Sequence, residues 1–218
     1  MKPRLLDLFC GAGGASYGYY LAGFDVTGVD IAPMPRYPFR FIQGDALEYL
    51  AAHGHEYDVI HTGPPCQGYS VTRSLHTAQY PLLVEPVRDL LAATGRPYVI
   101  ENVVGAPLIA PLVLCGTEFG LRAGEWWLRR HQLFESNVTL WGAGGCHCSG
   151  RRVASVTGHL PAKTYAGRGH QMGGAEARVA MGIDWMTNAE IVEAIPPAYT
   201  QFLGAQLLGA VTEQAVAA

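Results

Sequence analysis

The stretch Pro3-Arg4-Leu5-Leu6-Asp7-Leu8-Phe9-Cys10-Gly11-Ala12-Gly13-Gly14 decides the fold. It opens as a strand-like run and ends in glycines, which permit a tight turn and a close ligand approach to the backbone. Ala15 to Ala22 then reads as a helix, and Phe24 to Val29 as a second strand closed by Asp30. Strand, glycine turn, helix, strand and acid together make a βαβ unit. An acid about 20 residues past the first glycine is where ribose hydroxyls are usually held. The glycines do not spell GxGxxG, so a pyrophosphate cradle is not the natural reading. A nucleoside-bearing cofactor fits better, although purely structural βαβ units also carry such turns.

Further units follow in the same rhythm. A third strand, Phe39 to Ile42, leads through Gln43-Gly44 to Asp45 and a helix from Ala46 to about His53, with Asp45 at a strand end or as helix N-cap. The run Tyr57-Asp58-Val59-Ile60-His61 reads as a buried strand in which His61 carries no chemistry. Gly63-Pro64-Pro65-Cys66-Gln67-Gly68-Tyr69-Ser70 comes next, so Cys66 falls just past a strand's carboxyl end, the edge where open α/β sheets do their chemistry. Two prolines stiffen the approach, which suits a nucleophile, while an inert cysteine in a Pro-rich turn is the plainer alternative. Helical spacing runs from Tyr80 to Ala93 and Gly95 stops it. A fifth strand, Pro97 to Ile100, delivers Glu101-Asn102-Val103 to the same edge. A buried glutamate is rare unless paired, so Glu101 reads as functional.

Composition bounds the rest. A chain of 218 residues that is 49% hydrophobic supports one α/β domain, or one with a small appended lobe. Five cysteines, an odd number, argue for a reducing cytoplasm over a disulfide framework. No apolar run approaches the ~20 residues of a membrane span, and no signal-peptide pattern opens the chain. The net charge of −3 is unevenly placed: residues 122–170 sum to +5 with four histidines and Trp126-Trp127, between segments of −4 on either side. Such a strip is either a phosphate-facing surface or an ordinary solvated face.

Taken together, the motifs resemble a known family. Asp7-x-Phe9-x-Gly11-x-Gly13-Gly14, then Pro64-Pro65-Cys66-Gln67 with Ser70, then Glu101-Asn102-Val103 are similar to the C5-cytosine DNA methyltransferases. Arg129-Arg130-His131-Gln132-Leu133-Phe134 resembles that family's arginine-bearing strand. Arg178 through Met186 and Ala194-Ile195-Pro196-Pro197-Ala198-Tyr199 resemble its closing segments. About two-thirds of the chain is covered. The resemblance implies a doubly wound, Rossmann-like, S-adenosylmethionine-dependent methyltransferase fold with a small inserted lobe.

It also implies the chemistry. Addition of the Cys66 thiolate to C6 of cytosine makes C5 nucleophilic towards a sulfonium methyl, while Glu101 binds the N3/N4 edge and Arg130 and Gln132 complete the catalytic set. S-adenosylmethionine would be held by Phe9, Gly11, Gly13 and Gly14 at its methionine end, by Asp30 at the ribose and by Asp45 at the adenine. Asp7, Ile31, Ala46 and Pro64 belong to the same site, and S-adenosylhomocysteine is the product. Substrate contacts fall to Pro65, Gln67, Ser70, Asn102, Arg129, Arg151 and Arg152. The partner is DNA, double-stranded with a flipped cytosine, and no obligate protein partner is inferred. A cytoplasmic, bacterial or phage-encoded enzyme is expected.

Several features depart from that pattern. The second arginine of the usual Arg-x-Arg is Gln132, a neutral amide in place of a forked cation. Glu193 stands where asparagine usually precedes Ala-x-Pro-Pro, and Asp30 replaces a longer acid. Only about forty residues remain for target recognition, so the expected organisation is a catalytic domain 1–135, a reduced recognition lobe 136–177 and a returning segment 178–218. Short or weak sequence preference follows. The reduced lobe also permits an RNA or pyrimidine-nucleotide substrate, and Gln132 and Glu193 keep a catalytically silent binder open. Cys146-His147-Cys148 with Cys115 and His159 has the ligand types of a zinc site. The spacing matches no recognised zinc pattern and Cys115 fits a core strand, so no metal is assigned.

Overall fold

The computed structural model describes residues 1–69, 81–161, 163–164 and 170–217. Its main sheet has the order β3-β2-β1-β4-β5-β9-β6. The strands are β1 (Arg4–Leu8), β2 (Asp25–Asp30), β3 (Arg40–Gln43), β4 (Val59–Thr62), β5 (Tyr98–Val103), β6 (Leu112–Leu114) and β9 (Gln132–Ser136). The first five run parallel to one another, whereas β9 lies antiparallel between β5 and β6.

Alternation along the strands builds a core on each face. Leu5, Val59 and Val99 pack beneath α1 (Gly14–Ala22) and α6 (Pro197–Ala217), together with Tyr19, Phe134, Tyr199 and Leu203. Leu6, Leu8, Ile60 and Ile100 face the other way onto Leu50 of α2 (Ala46–His53) and Val87 and Leu91 of α3 (Val84–Thr94). This doubly wound arrangement is the one expected from the repeated strand–helix rhythm. Helix α3 begins later than its apolar spacing predicts: the Val84 amide donates to the Tyr69 hydroxyl at 3.0 Å, which caps the first turn there. Residue 80, the expected start, lies outside the described residues.

A second sheet, β10-β8-β7, joins β7 (Arg122–Ala123), β8 (Trp126–Leu128) and β10 (Val153–Ala154). Its core unites Ala123, Leu128, Ala154 and Val156 with Met181 of α4 (Gly174–Met181) and Ile191 of α5 (Asn188–Glu193). This lobe therefore starts before β9 and runs past α4, across the divisions expected at 135/136 and 177/178. Forty residues alone bury too little apolar surface, so the lobe borrows strands and helices from both sides.

Candidate active site

The sheet order reverses between β1 and β4, and loops leaving neighbouring strands in opposite directions open a crevice at that edge. Both loops carry predicted residues. After β1, Phe9, Gly11 and Gly13 all adopt positive φ, at 55°, 50° and 89°. Phe9 is the costly member, since a bulky side chain pays for that conformation and such residues gather at functional sites. Asp30, at the end of β2, holds the turn: Oδ2 accepts from the Gly11 amide and Oδ1 from the Ala32 amide, each at 3.0 Å. Space above Gly11 is open. Each Asp30 oxygen retains a lone pair for a hydroxyl donor.

Asp7 sits beneath this turn, enclosed, bonded to the Ser16 hydroxyl and to His61 Nδ1 at 2.8 Å. Its role is internal positioning, as the register Asp7↔His61 on adjacent strands dictates. His61 is a buried strand residue, as expected, fixed against Asp7. The sequence concealed this because strand pairing, not spacing, puts the imidazole beside the carboxylate. Ala46 is likewise enclosed in the first turn of α2, whereas Ile31 is exposed. Asp45 is the N-cap of α2, its Oδ1 accepting from the Leu47 and Glu48 amides at 2.8 and 3.0 Å.

The returning segment closes on the turn. A Cβ at Gly14 would stand 2.6 Å from the Ile195 carbonyl oxygen, so α1 touches the Ala194-Ile195 backbone directly. Trp185 Nε1 donates to the Ala12 carbonyl at 2.9 Å and its ring meets Tyr17 edge-on. Arg178 donates to Gly174 O, Asn188 Oδ1 and Met186 O, fixing the α4–α5 corner that carries Trp185.

Past β4, the Gly63-Pro64-Pro65-Cys66 turn is tied to β5 by Asn102, whose Nδ2 donates to the Pro64 carbonyl at 2.9 Å. A Cβ on Gly63 would lie 3.2 Å from Glu101 Oε2, so the carboxylate lies beneath this turn. β5 does not stop at Ile100 as expected but continues to Val103, because β9 pairs with it from Val99 to Val103. Glu101 is consequently a buried strand residue. Burial pushes its carboxyl up to about 7, against the pull of His61 and Arg130 and with Asp7 adding to the rise. Cys66 is half-buried, and its thiol is raised by burial, then by Glu101 and Glu193.

Gln132 pairs with Val103 across β5, which turns its side chain to the face of Glu101. With its amide nitrogen towards the carboxylate, Nε2 reaches Glu101 Oε1 at 3.3 Å. Buried Arg130 donates to the carbonyls of Val156 and Val192, the latter at 2.9 Å, and its own carbonyl accepts from the Tyr199 hydroxyl at 2.6 Å. This guanidinium therefore binds lobe and returning segment together while its charge favours ionised Glu101. Gln67 Oε1 is buried without a partner among the described residues.

Other predicted contacts scatter. Pro64 is buried and Pro65 half-buried in the cysteine turn, while Ser70 lies outside the described residues. Arg129 is exposed. Arg151 stacks on Trp127 with its guanidinium carbon 3.7 Å from the ring centroid, and Arg122 approaches the same ring at 5.2 Å. Trp126 packs against the lobe core. Arg152 spends its charge on an exposed pair with Glu125 at 2.7 Å. His159 is exposed and stands apart from Cys146 and Cys148, which instead gather Cys115 and His131. Cys115 lies just beyond β6 at the start of a 3-10 turn, so the core-strand expectation was one residue short.

Sheet order, antiparallel β9 and the βαβ start define a Rossmann-like methyltransferase fold. Two solved structures share it. The S. pombe Dnmt2 methyltransferase superposes with a TM-score of 0.63 at 12% identity, over 97% of this chain and 99% of that one. The Entamoeba histolytica methyltransferase EhMeth gives 0.62 at 10% identity, with coverages of 97% and 99%. No protein-family model matches the chain. Among curated proteins, Type II methyltransferase M.XorII of Xanthomonas oryzae pv. oryzae is 35% identical over 122 residues, 48% of this chain and 29% of that protein. Type II methyltransferase M.AquIA of Picosynechococcus sp. is 32% identical over 126 residues, 48% of this chain and 50% of that protein. The chain spans half or less of the length of these relatives. No helix among the described residues is long and apolar enough to cross a membrane.

Proposed function

We propose that this chain transfers a methyl group from S-adenosylmethionine to C5 of cytosine in DNA, with Cys66 as the covalent nucleophile. One observation carries the reading: a thiol and a buried carboxyl share one sheet edge, beside a glycine turn braced by Asp30. The open space over Gly11 and the free lone pairs of Asp30 fit a nucleoside-bearing cofactor. S-adenosylmethionine supplies an electrophilic methyl group when bound. The chain's own part is to make the carbon attack it.

Cys66 as thiolate forms a bond from Sγ to C6, and the ring's electron pair moves towards C5 and N3. Glu101, still holding its proton near neutrality, donates it to N3 and so offsets the developing charge. C5 then takes the methyl group as the sulfonium's C–S bond breaks, a base or water removes the C5 proton, the Sγ–C6 bond breaks to restore the thiolate, and N3 returns its proton to Glu101. Gln132 bonds Glu101 from β9, the charge of nearby Arg130 acts on it, and Asn102 holds the turn bearing Cys66. Burial keeps Cys66 a thiol until substrate arrives, which protects it from adventitious oxidation.

A base inside a duplex cannot reach this edge, so the target cytosine would be flipped out. The small lobe supports backbone binding with short or weak sequence preference. The Arg122–Trp127–Arg151 stack presents two guanidinium groups braced on one ring, a fitting phosphate contact. Arg151→Ala should weaken DNA binding for all sequences alike and reduce the slope of log affinity against log salt by about 1. Loss confined to one target sequence would contradict that assignment.

Covalent trapping tests the main reading. Incubated with S-adenosylmethionine and DNA containing 5-fluorocytosine, the protein should form a denaturation-resistant adduct seen by mass spectrometry, because fluorine cannot leave C5 as a proton does. The adduct should vanish in Cys66→Ala. Its absence from wild-type protein that still binds the cofactor would overturn cytosine in DNA as the substrate, and the same trap in RNA would then decide that alternative.

A further inference from the structure

Four ligand-type side chains from three separated segments converge beside β9. Cys115 follows β6, His131 immediately precedes β9, and Cys146 and Cys148 come from residues 141–152. Their donor atoms all lie within 4.8 Å of one another. Sγ of Cys115 and Sγ of Cys148 are 3.6 Å apart, and His131 Nε2 is 3.2 Å from Cys146 Sγ. Ligands at the zinc–sulfur and zinc–nitrogen lengths of a tetrahedral ion stand roughly 3.5–3.8 Å apart, so these two edges are already nearly right and the others, none longer than 4.8 Å, need close by only about 1 Å at most. We propose that Cys115, His131, Cys146 and Cys148 form a structural zinc site. It stands independently of the catalytic reading.

The surroundings fit thiolate ligands. The Cys148 amide donates to Cys146 Sγ at 3.4 Å and the Thr117 hydroxyl to Cys115 Sγ at 3.4 Å. Thr117 Oγ1 also accepts from the His147 amide at 2.9 Å. Glu118 accepts from the amides of Cys115 and Gly145, at 2.8 and 3.2 Å, joining the two cysteine-bearing segments from outside the ligand set. Such second-layer bonds orient metal ligands and offset their charge. Four protein ligands leave no open position, which is the arrangement of a structural rather than a catalytic ion.

The segment also needs such an anchor. Residues 141–152 form no helix or strand, are mostly exposed and include Gly142, Gly144, Gly145 and Gly150. They bury almost no apolar surface to offset the entropy of ordering about twelve residues. The ion would fasten this segment, and with it Arg151, to the main sheet. It would also fix His131 between Arg130 and Gln132, whose side chains serve the carboxylate side.

The test uses the 218-residue chain, purified under reduction without a histidine tag. Elemental analysis should find about one zinc per chain, and cobalt loading should give the visible absorption of a tetrahedral thiolate site. Chelation should lower the unfolding temperature by roughly 5–10 °C. Cys148→Ser should lose the metal, whereas His131→Cys should keep it with a cobalt spectrum shifted towards four thiolates. If Cys148→Ser does not fold, the wild-type cobalt titration and the His131→Cys shift still decide. Folded wild-type chain that neither retains zinc nor takes up cobalt would overturn the site. So would an intact mass showing a Cys115–Cys148 disulfide under those reducing conditions.

Discussion

Replacing Glu101 with Gln is expected to slow turnover roughly 100- to 10,000-fold, the range for a lost general acid. The same change should shift the stability comparison in the variant's favour as pH rises. The Glu101 carboxyl ionises at about 7 in the fold against its ordinary 4.5. Below 4.5 it is neutral in both states and its contribution is fully present. Between 4.5 and 7 the unfolded chain gives up the proton while the folded one keeps it, so stability falls. Above 7 the loss is complete, at about 3 kcal/mol for a gap of this size. Gln has no such transition, so denaturant unfolding of both proteins at pH 4.5 and pH 8 reads the effect directly. A stability difference that is the same at both pH values would show that Glu101 is not held protonated.

Activity follows the same proton with its own sign. In the proposed reaction the productive form has a proton on Glu101 and none on Cys66. Because Glu101 ionises first, that form is a fixed minor share of the singly protonated protein. In the wild type kcat/KM should therefore climb with pH to about 7, level off, and decline once Cys66 itself ionises. In Glu101→Gln the limb near 7 should disappear, leaving a residual rate that rises with the thiolate alone. Glu193 bears on that second limb, since its charge helps hold Cys66 as a thiol.

A methyl group at Gly18 is expected to cost about 3 kcal/mol, the upper part of the usual range for overpacking, or roughly 6–12 °C in unfolding temperature. Its Cβ would run into the Thr200 hydroxyl and the Pro197 carbonyl, and would stand 2.7 Å from the Gln201 amide nitrogen. Most of these atoms are backbone of α6 and cannot rotate aside. Thr200 is itself bonded to the Ala15 carbonyl at 2.8 Å, so moving α6 breaks that link as well. Displacement would carry Ala194 and Ile195 off Gly14, loosening the glycine turn proposed to hold the cofactor, and cofactor affinity should fall with stability. Gly209→Ala on α6 is the matched control: nothing lies within 4 Å of its Cβ, and better helix propensity should stabilise by up to ~1 kcal/mol. Equal unfolding temperatures for Gly18→Ala and Gly209→Ala would refute the close α1–α6 packing.

Much of this molecule was legible one segment at a time. The glycine turn, Asp30, the Pro-Pro-Cys loop and Glu101 all stand at strand ends or near them. Hydrophobic periodicity finds strand ends, and open α/β sheets keep their chemistry there. Helix α2 and its Asp45 cap were readable for a similar reason, because capping is a short-range exchange of hydrogen bonds. Local order therefore determined the class of fold and the candidate nucleophile.

Everything that depends on partners distant in the chain waited for the tertiary structure. The depth of Glu101 comes from β9, which pairs past the apolar run. The Asp7–His61 bond joins residues 54 positions apart, and no spacing rule reaches that far. Arg130 could be read as a site residue but not as the clamp between Val156 and Val192. His131 was visible only as a position between two catalytic candidates. Which cysteines meet, and that His131 completes them in place of His159, followed from how three segments pack against one strand. Periodicity reports which face of an element is buried; only packing reports what lies opposite it.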